Sequence, residues 1–479
     1  MRYVSTRADG GGESMSFEDV LLAGLARDGG LFVPESWPVP FSEGDLLEMA
    51  SLSYADLAVR LTQPFIGDAV EPAALVRIAQ ETYAGFEHPA TAPLSQLDSG
   101  LWLMQLYHGP TLAFKDYALQ FLGRLFDHVV ARRGERLTIV GATSGDTGSA
   151  AIEACRGRQS LSIVILHPEG RVSEVQRRQM TTVDEANVHN VAIDGTFDDC
   201  QAMVKAMFND LPFRDGLNLA AINSINWARI LAQTVYYAYA ALALGSPVRL
   251  VTFAVPTGNF GNVYSGYVAS RLGLPIRHLL VATNANDILA RFFAGAGYFK
   301  NDVIASISPS MDIQVASNFE RLLFELYERD GATVRALIGS LDQGGGFEVA
   351  AEKLAEARRQ FSGRKINDDR ALECMARVRR ECDTLIDPHS AAGVAAAEEL
   401  MQAQNSSTGD GPIICLATAH PAKFPDAVER ASGVRPALPE RLADLLERPE
   451  HVKHLPNDLA AVKEFVRACG SGEQEGKVA

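Results

Sequence analysis

The sequence has no long hydrophobic run. No apolar stretch approaches the roughly 20 residues that a membrane-spanning helix needs. The opening segment, MRYVSTRADGGGESMSFEDV, also lacks the apolar core of a secretory signal peptide. These two absences predict a cytoplasmic protein without a membrane partner.

Cysteine is scarce and scattered. Six cysteines occur in 479 residues, and none belongs to a CxxC pair. Their spacing fits neither a disulfide framework nor a zinc site. We therefore predict no metal site and a reducing compartment. The six are Cys155, Cys200, Cys374, Cys382, Cys415 and Cys469.

The chain also lacks an excess of positive charge. It has 44 Lys and Arg residues against 59 Asp and Glu residues, which gives a net charge of −15. Nucleic-acid binding needs a basic surface, so we expect no nucleic-acid partner. A hydrophobic content of 47% and a charged content of 22% are ordinary for a globular protein. The length allows two or three domains.

From about residue 95 onward, short apolar segments alternate with helical patterns. The segments LTIVGATS, LSIVILHP and VHNVAID predict buried strands, and each is followed by a stretch with helical periodicity. Such alternation predicts parallel sheets that helices cover on both faces. Before about residue 90 we find helical patterns but no strong strand alternation.

The first of three turns that follow predicted strands is GATSGDTGSA, residues 141–150. In open α/β sheets, ligands bind at the carboxyl ends of strands. The amides at the start of the next helix attract anions, and Thr143, Ser144 and Thr147 add hydroxyl groups. Residues of these types also cap helices without any ligand.

The second turn is PTGNFGNV, residues 256–263. Gly258 and Gly261 let the backbone approach a ligand closely, and the side chains of Asn259 and Asn262 can donate hydrogen bonds. This pattern is typical of a phosphate-binding loop. Its alternative is an ordinary turn that uses Gly and Asn for their backbone angles.

Two further segments carry single reactive residues. ATAHPAKF places Thr418 at the end of a buried strand, and HGPTLAFKDY places Lys115 at the start of a helical pattern. Tyr117, Phe121 and Leu125 define the apolar face of that pattern. Taken alone, Thr418 is interpreted as structural and Lys115 as a solvated surface residue.

Taken together, these motifs resemble those of the threonine synthase family, pyridoxal-phosphate enzymes of the tryptophan-synthase-β fold type. The resemblance spans about residues 1 to 430 in the family's order, and GLARDGGLFVP is similar to the family's opening. It implies an α/β fold with two open, twisted, mainly parallel sheets flanked by helices (fold type II), after an N-terminal extension. The motifs are HGPTLAFKDY, SGDTGSAA, NSINWARILAQ, VPTGNFGNV, ATNANDILARF, DPHSAAG and ATAHPAKF.

The resemblance assigns residues to the cofactor, pyridoxal 5'-phosphate. It implies that Lys115 forms a Schiff base with the cofactor aldehyde and that Thr418 hydrogen-bonds the pyridine nitrogen. A lysine with a reduced pKa, held near a fixed carbonyl, suits imine chemistry. The residues implied for the cofactor phosphate are Gly258, Asn259, Phe260, Gly261 and Asn262.

The resemblance also implies the reaction. The substrate is O-phospho-L-homoserine, which loses phosphate from Cγ and gains water at Cβ to give L-threonine, in the last step of threonine biosynthesis. The residues matching the family's loop for the substrate carboxylate are Thr143, Ser144 and Thr147. Those matching its positions for the substrate phosphate are Asn223, Ser224 and Arg229.

Asp146, His108 and His389 lie in or near the motifs and need separate interpretations. Family members often carry Asn where this chain has Asp146. Because a carboxylate would repel the substrate carboxylate, we expect Asp146 to turn toward backbone amides. For His108 and His389, packing or local hydrogen bonding is the ordinary interpretation.

We expect four regions. These are an N-terminal extension domain, 1–92; a large cofactor-binding domain, 93–120 and 226–435; a small mobile domain, 121–225; and a C-terminal helical segment with a disordered tail, 436–479. The oligomer is expected to be a monomer or a homodimer.

Three alternatives stay open at this point. A dehydratase or cysteine synthase of the same fold type would not need a second phosphate site, so Ser224 and Arg229 argue against it. A non-catalytic, threonine-synthase-like binding protein would most simply have lost Lys115. A nucleotide-binding dehydrogenase would require a full GxGxxG turn, which we do not find.

Overall fold

The computed structural model describes residues 1–8, 14–403 and 411–471. These residues form two larger, mainly parallel sheets covered by helices, together with a small N-terminal sheet. The predicted α/β fold class is therefore confirmed. The end of the predicted disordered tail, beyond residue 471, lies outside the described residues.

The N-terminal region contains short strands that the sequence did not reveal. Its elements are β1 (Arg2–Ser5), β2 (Met15–Ser16), β3 (Phe32–Pro34), α1 (Phe17–Ala23), α2 (Glu43–Met49), α3 (Tyr54–Ile66) and α4 (Pro72–Tyr83). The strands pair antiparallel in the order β2-β1-β3. They have two to four residues each, too few to show a period-two pattern.

The larger sheet joins strands from distant parts of the chain. Its strands are β4 (Leu94–Asp98), β5 (Leu101–Gln105), β10 (Val251–Pro256), β11 (Ile276–Thr283), β14 (Phe361–Lys365) and β15 (Ile413–Ala417). Their order is β14-β11-β10-β15-β5-β4, and only the edge pair β4–β5 is antiparallel. Along β11, Leu279 and Val281 pack into one core cluster, while Leu280 and Ala282 pack into another. Both faces are buried, as the continuous apolar runs predict.

The smaller sheet is parallel throughout. Its strands are β6 (Leu137–Ala142), β7 (Leu161–Pro168), β8 (Val188–Ile193), β9 (Leu219–Ala220) and β16 (Lys453–Leu455), in the order β16-β8-β7-β6-β9. β16 comes from the C-terminal segment and pairs with β8. A separate two-stranded ribbon consists of β12 (Tyr298–Phe299) and β13 (Gly346–Phe347).

Helices connect and cover these sheets. They are α5 (Lys115–Arg133), α6 (Asp146–Cys155), α7 (Glu174–Thr181), α8 (Phe197–Asn209), α9 (Leu211–Gly216), α10 (Trp227–Ala243), α11 (Gly261–Arg271), α12 (Ile288–Ala294), α13 (Phe319–Leu326), α14 (Gly331–Gly344), α15 (Ala351–Arg358), α16 (Asp368–Cys382), α17 (Pro388–Ala403), α18 (Pro425–Ser432) and α19 (Leu459–Ser471). In the part of the chain that the structure describes, none of them has the length and apolar character that crossing a membrane requires.

The strand ends bring the sequence motifs to one place. α6 begins after β6, α11 begins after β10, and the Thr418 turn follows β15. A bridge between Ala113 and Ala419 holds the start of α5 beside that turn. Helix α5 buries the predicted apolar face of Tyr117, Phe121 and Leu125 completely or nearly so, which fixes Lys115 at its first turn.

Candidate active site

A cleft of about 720 Å³, counted with the solvent space at its mouth, lies where α5, α6, α10 and α11 begin. Most of the predicted site residues line it, whereas Thr143, Ser144 and Asn223 do not. The predicted residues in its wall are Lys115, Thr147, Ser224, Arg229, Gly258, Asn259, Phe260, Gly261, Asn262 and Thr418.

Lys115 is buried at the base of this cleft. Its Nζ lies 3.2 Å from Oδ2 of Asp146 and 5.1 Å from the centre of the Phe114 ring. Burial lowers the pKa of Lys115, and this effect outweighs the attraction of Asp146. A lysine that loses its proton easily can act as a nucleophile and as a base. The interpretation as a solvated surface lysine is therefore excluded.

Asp146 does not turn toward backbone amides, so that expectation was wrong. Its Oδ2 contacts Lys115, and its Oδ1 lies 3.0 Å from Nζ of Lys423 and accepts a hydrogen bond of 2.8 Å from Gln176 Nε2. Burial alone would raise the pKa of Asp146, but the two lysines lower it well below its usual range. The side chain is held by cations that the motif alone did not reveal.

The loop before α11 is shaped for a close ligand. A Cβ on Gly258 would lie 2.7 Å from the Ser310 carbonyl oxygen, so only glycine fits at this position. Phe260 has a φ of 63° and ends the loop, and α11 begins at Gly261. The first N–H groups of a helix have no partner within the helix and favour an anion.

Asn262 has a fixed side-chain orientation. Its Oδ1 accepts hydrogen bonds from the hydroxyl groups of Tyr236, at 2.6 Å, and Tyr237, at 2.9 Å. Its Nδ2 is buried and has no partner among the described residues. Because buried donors are normally paired, this nitrogen suits an acceptor bound in the cleft.

Arg229 carries a second positive charge into the cleft. Asn226 caps α10 by accepting a hydrogen bond of 3.0 Å from the Ala228 N–H, which places Arg229 in the first turn. Arg229 is 4% exposed, and within the described residues it forms no ion pair and its Nη1 has no partner. Burial lowers the pKa of Arg229 to about 10, so it remains charged near neutral pH. A buried, unpaired guanidinium suits an anionic ligand.

Thr418 connects the end of β15 to the Lys115 turn. Its carbonyl oxygen accepts a hydrogen bond of 2.9 Å from the Phe114 N–H, and its N–H donates to Ser390 Oγ at 3.2 Å. Its side chain lies in the cleft wall. The hydroxyl is therefore available to a bound group.

The three predicted residues outside the cleft wall have local roles in the structure. Thr143 Oγ1 accepts hydrogen bonds from the N–H groups of Gly145, at 3.0 Å, and Gly148, at 2.9 Å. Ser144 is exposed. Asn223 Oδ1 accepts a hydrogen bond of 3.2 Å from the Ile225 N–H.

His389 and Ser310 line the cleft although sequence reasoning gave them no role there. His389 Nε2 accepts a hydrogen bond of 3.2 Å from the Ser310 N–H, so its Nδ1 carries the proton that faces Asp387 at 2.7 Å. The DPHSAAG motif was the signal for His389, whereas no motif marks Ser310. His108 lies outside the cleft wall, with Nε2 2.9 Å from Gln105 Oε1.

Over the described ranges, no group of three or more His, Cys, Asp or Glu side chains is placed to hold an ion.

Comparison with known families covers nearly the whole chain. Residues 2–83 match the family described as "Threonine synthase N terminus". Residues 87–419 match "Pyridoxal-phosphate dependent enzyme", and residues 390–466 match "Threonine synthase, C-terminal". The predicted cofactor and the predicted family are both confirmed.

Individual relatives agree with these matches. The chain is 53% identical to a threonine synthase of Pseudomonas aeruginosa, over 98% of this chain and 99% of that protein. It is 39% identical to the threonine synthase of Saccharomyces cerevisiae, over 97% of each chain. The crystal structure of a threonine synthase from Brucella melitensis with pyridoxal phosphate bound is 51% identical, covers 98% of this chain and 99% of its own, and superposes with a TM-score of 0.94. The chain therefore belongs to the threonine synthase family of pyridoxal-phosphate-dependent enzymes.

Proposed function

We propose that this cleft carries out the threonine synthase reaction, the conversion of O-phospho-L-homoserine and water to L-threonine and phosphate. The observation that supports this assignment is that Lys115 and Arg229 line the same cleft. A lysine with a lowered pKa provides base and nucleophile, and a buried arginine without an acidic partner among the described residues provides a phosphate site.

The residues present fit pyridoxal phosphate. The partnerless Nδ2 of Asn262, the close approach permitted by Gly258 and the N-terminus of α11 together suit a phosphate group. Lys115 would bind the aldehyde carbon, and the Thr418 hydroxyl would face the pyridine nitrogen. The residues proposed for the cofactor phosphate are Gly258, Asn259, Phe260, Gly261 and Asn262.

The substrate has two anionic ends, and we assign each to a different helix start. Arg229 with Ser224 holds the phosphate at the start of α10, and Asn223 shapes the turn before that helix. Thr147 holds the α-carboxylate at the start of α6, beside Thr143 and Ser144 in the preceding loop. Since the hydroxyl of Thr143 is already bonded to the loop backbone, its part is to shape the loop.

Lys115 moves the protons in this assignment. Pyridoxal phosphate, when bound, supplies a conjugated ring that accepts electrons from the carbon next to the substrate's amino group. Lys115 removes the proton from Cα and then one from Cβ. The bond between Cγ and the phosphate oxygen breaks while Arg229 and Ser224 donate hydrogen bonds to the leaving phosphate. A proton is added at Cγ, water supplies the hydroxyl at Cβ, and Lys115 returns a proton to Cα.

The reaction of a dehydratase of the same fold type is the second candidate function. Such an enzyme would leave Arg229 without an anionic partner, and burying an unpaired cation is costly. The environment of Arg229 therefore favours a substrate with a phosphate group. The binding-protein alternative has no support from the cleft, because Lys115 is present.

The test follows phosphate and threonine together in the presence of pyridoxal phosphate and O-phospho-L-homoserine. We expect equal release of both products by the unaltered protein and by Lys205→Ala, an exposed lysine on α8. Lys115→Ala is expected to lose both products. Phosphate without threonine, or full activity of Lys115→Ala, would contradict the assignment.

We also propose the cytoplasm as the setting of this enzyme, with a monomer or homodimer as its form and no nucleic-acid partner. Its six cysteines are free thiols, which suits a reducing compartment. The net charge of −15 is unfavourable for a phosphate backbone.

The division into four regions remains a proposal. It is supported by the origin of the strands, since β6 to β9 lie within 121–225 and the larger sheet is built from 93–120 and 226–435. The segment 436–479 adds β16 to the smaller sheet. We propose that 121–225 moves relative to the larger region during the reaction, since a shielded intermediate requires closure.

A further inference from the structure

A second buried lysine lies directly behind the cleft. Lys423, in the short 3₁₀ turn Pro421–Lys423 after β15, is fully buried, and it is absent from the cleft wall. Its Nζ has three oxygen neighbours: Thr111 O at 2.7 Å, Gln179 Oε1 at 2.9 Å and Asp146 Oδ1 at 3.0 Å. Three acceptors satisfy the three N–H donors of an ammonium group.

Asp146 lies between Lys423 and Lys115. Its Oδ1 contacts Lys423, and its Oδ2 lies 3.2 Å from Lys115 Nζ and 3.5 Å from Ser310 Oγ. One buried carboxylate therefore has two lysine partners, one inside the cleft and one behind it. The contacts join the turn after β15 to α6 and, through Gln179, to α7.

The two lysines have different tasks. In the proposed function Lys115 loses and regains its proton, so it cannot be a permanent cation beside Asp146. If Lys115 were its sole partner, the buried carboxylate would either hold Lys115 as an ammonium ion or stand without a counter-charge. Lys423 is fully buried, does not line the cleft and contacts three oxygen atoms, so it takes no part in the proton transfers.

We propose that Lys423 is a positioning residue that neutralises Asp146 permanently, so that Lys115 is free to give up its proton. This inference rests on the proposed function and deepens it. It explains why the chain can carry an acid at position 146 beside its reactive lysine. Burial is the main cause of the lowered pKa of Lys115, and the charges of Arg229 and Lys423 act in the same direction, which agrees with the proposal.

Other charged groups face this cluster. Arg229 lies near Lys115, and Asp116 and His420 lie near Lys423. Burial raises the pKa of Asp116 to about 6, against hydrogen bonds from Thr111 and the charge of Lys423. Burial lowers the pKa of His420 to about 4. Both groups titrate below pH 7, so they do not obscure a change in the protonation of Lys115 above pH 7.

The test measures the protonation of Lys115 directly, without substrate. The cofactor-free protein is labelled with an amine-acylating reagent across a pH series, and the modification of Lys115 is quantified by mass spectrometry. In Lys423→Met, Asp146 retains only Lys115 as its cationic partner. We expect the midpoint of labelling to rise by at least one pH unit, a tenfold loss of neutral Lys115 at a given pH.

The matched control is Lys463→Met, which removes a lysine paired with Asp210 at 2.6 Å. Its Lys115 labelling is expected to match that of the unaltered protein. A folded Lys423→Met protein, judged by its thermal transition, with an unshifted labelling midpoint would overturn the proposal.

A second pair of variants decides the matter if Lys423→Met does not fold. Asp146→Asn keeps Lys423, whereas Asp146→Asn with Lys423→Met removes both charges and leaves no unpaired ion from this pair. We expect Lys115 to be labelled at a lower pH in the single variant than in the double variant. Equal midpoints would refute the coupling.

The labelling experiment tests the role of Lys423, and the product assay tests the proposed function. Product formation by the unaltered protein with unshifted labelling in the variants would overturn only the role of Lys423. No product from the unaltered protein would overturn the proposed function itself.

Discussion

Arg229 carries its charge into the protein interior without an acidic partner among the described residues. We predict that Arg229→Met lowers kcat/KM for O-phospho-L-homoserine by about a hundredfold, because a charge-assisted hydrogen bond to the leaving phosphate is lost. The same variant is expected to raise the melting temperature of the cofactor-free protein, since it removes an uncompensated buried charge. Steady-state kinetics and thermal melting measure the two effects.

The control for Arg229 is Arg435→Met. Arg435 is an exposed residue paired with Asp426 and Glu429, so its loss should leave both quantities nearly unchanged. If Arg229→Met retained full kcat/KM, the phosphate would have to bind elsewhere.

The charges around the cleft differ in sign from the charge of the whole chain. Lys115 and Lys423 contact one buried carboxylate, Asp146, and Arg229 lies in the same cleft, in a protein with a net charge of −15. A cleft lined by one sign of charge focuses its field on a ligand of the opposite sign. An acidic overall composition is therefore compatible with a site for a doubly anionic amino acid.

At the scale of single elements, the turn from β10 into α11 depends on close packing against the Ser310 loop. A Cβ at position 258 would lie 2.7 Å from a backbone oxygen, which cannot move away as a flexible side chain could. We predict that Gly258→Ala displaces this loop and weakens pyridoxal-phosphate binding by tenfold or more. Equilibrium titration of the cofactor-free protein with the cofactor measures this effect.

Gly339→Ala is the matched control for this substitution. Gly339 lies within α14 and has open space around the added methyl group. Alanine there is expected to leave cofactor affinity unchanged and to stabilise the fold by about 0.5–1 kcal/mol, because Gly is unfavourable inside a helix. Unaltered cofactor affinity in Gly258→Ala would show that the loop tolerates the methyl group.

Sequence patterns located long elements better than short ones. The strand β7 was predictable because burial on both faces gives a continuous apolar run, and helix α5 because its large apolar residues recur at helical spacing. Helix α10 begins only at Trp227, so Asn223 and Ser224 of the motif NSINWARILAQ lie in the preceding turn. The three-residue strand β16 was not predictable, since its pairing with β8 depends on a partner far away in sequence.

At the scale of the whole molecule, the site is assembled from segments that no local pattern links. Lys115 and Arg229 were recognised by their motifs, and the structure places both in one cleft. The partners of Asp146 were not, because Lys423 and Gln176 lie hundreds of residues from each other and meet only in the fold. Their contacts result from how the sheets pack, which a single sequence does not report.

The last prediction concerns the stability of the whole molecule at acidic pH. Burial lowers the pKa of both His108 and His420 to about 4, and the neighbouring Arg441 adds to this in each case. The unfolded chain takes up these protons near pH 6.5, whereas the folded protein takes them up only near pH 4. Between these values the unfolded state binds more protons, so stability falls as the pH falls.

We expect the two histidines to cost about 2 kcal/mol of the free energy of unfolding between pH 7 and pH 5, after allowing for their partial exposure. Asp116 acts in the opposite direction, because its pKa is raised to about 6. The informative quantity is therefore the loss of free energy of unfolding between pH 7 and pH 5, compared between the unaltered protein and the double variant His108→Asn, His420→Asn. Urea unfolding at both pH values measures it. Asparagine can accept the hydrogen bond that His420 Nδ1 receives from the Ala422 N–H. The control is His451→Asn, at an exposed histidine, and it should lose as much stability on acidification as the unaltered protein. If the double variant lost just as much, groups other than His108 and His420 would destabilise the protein in acid.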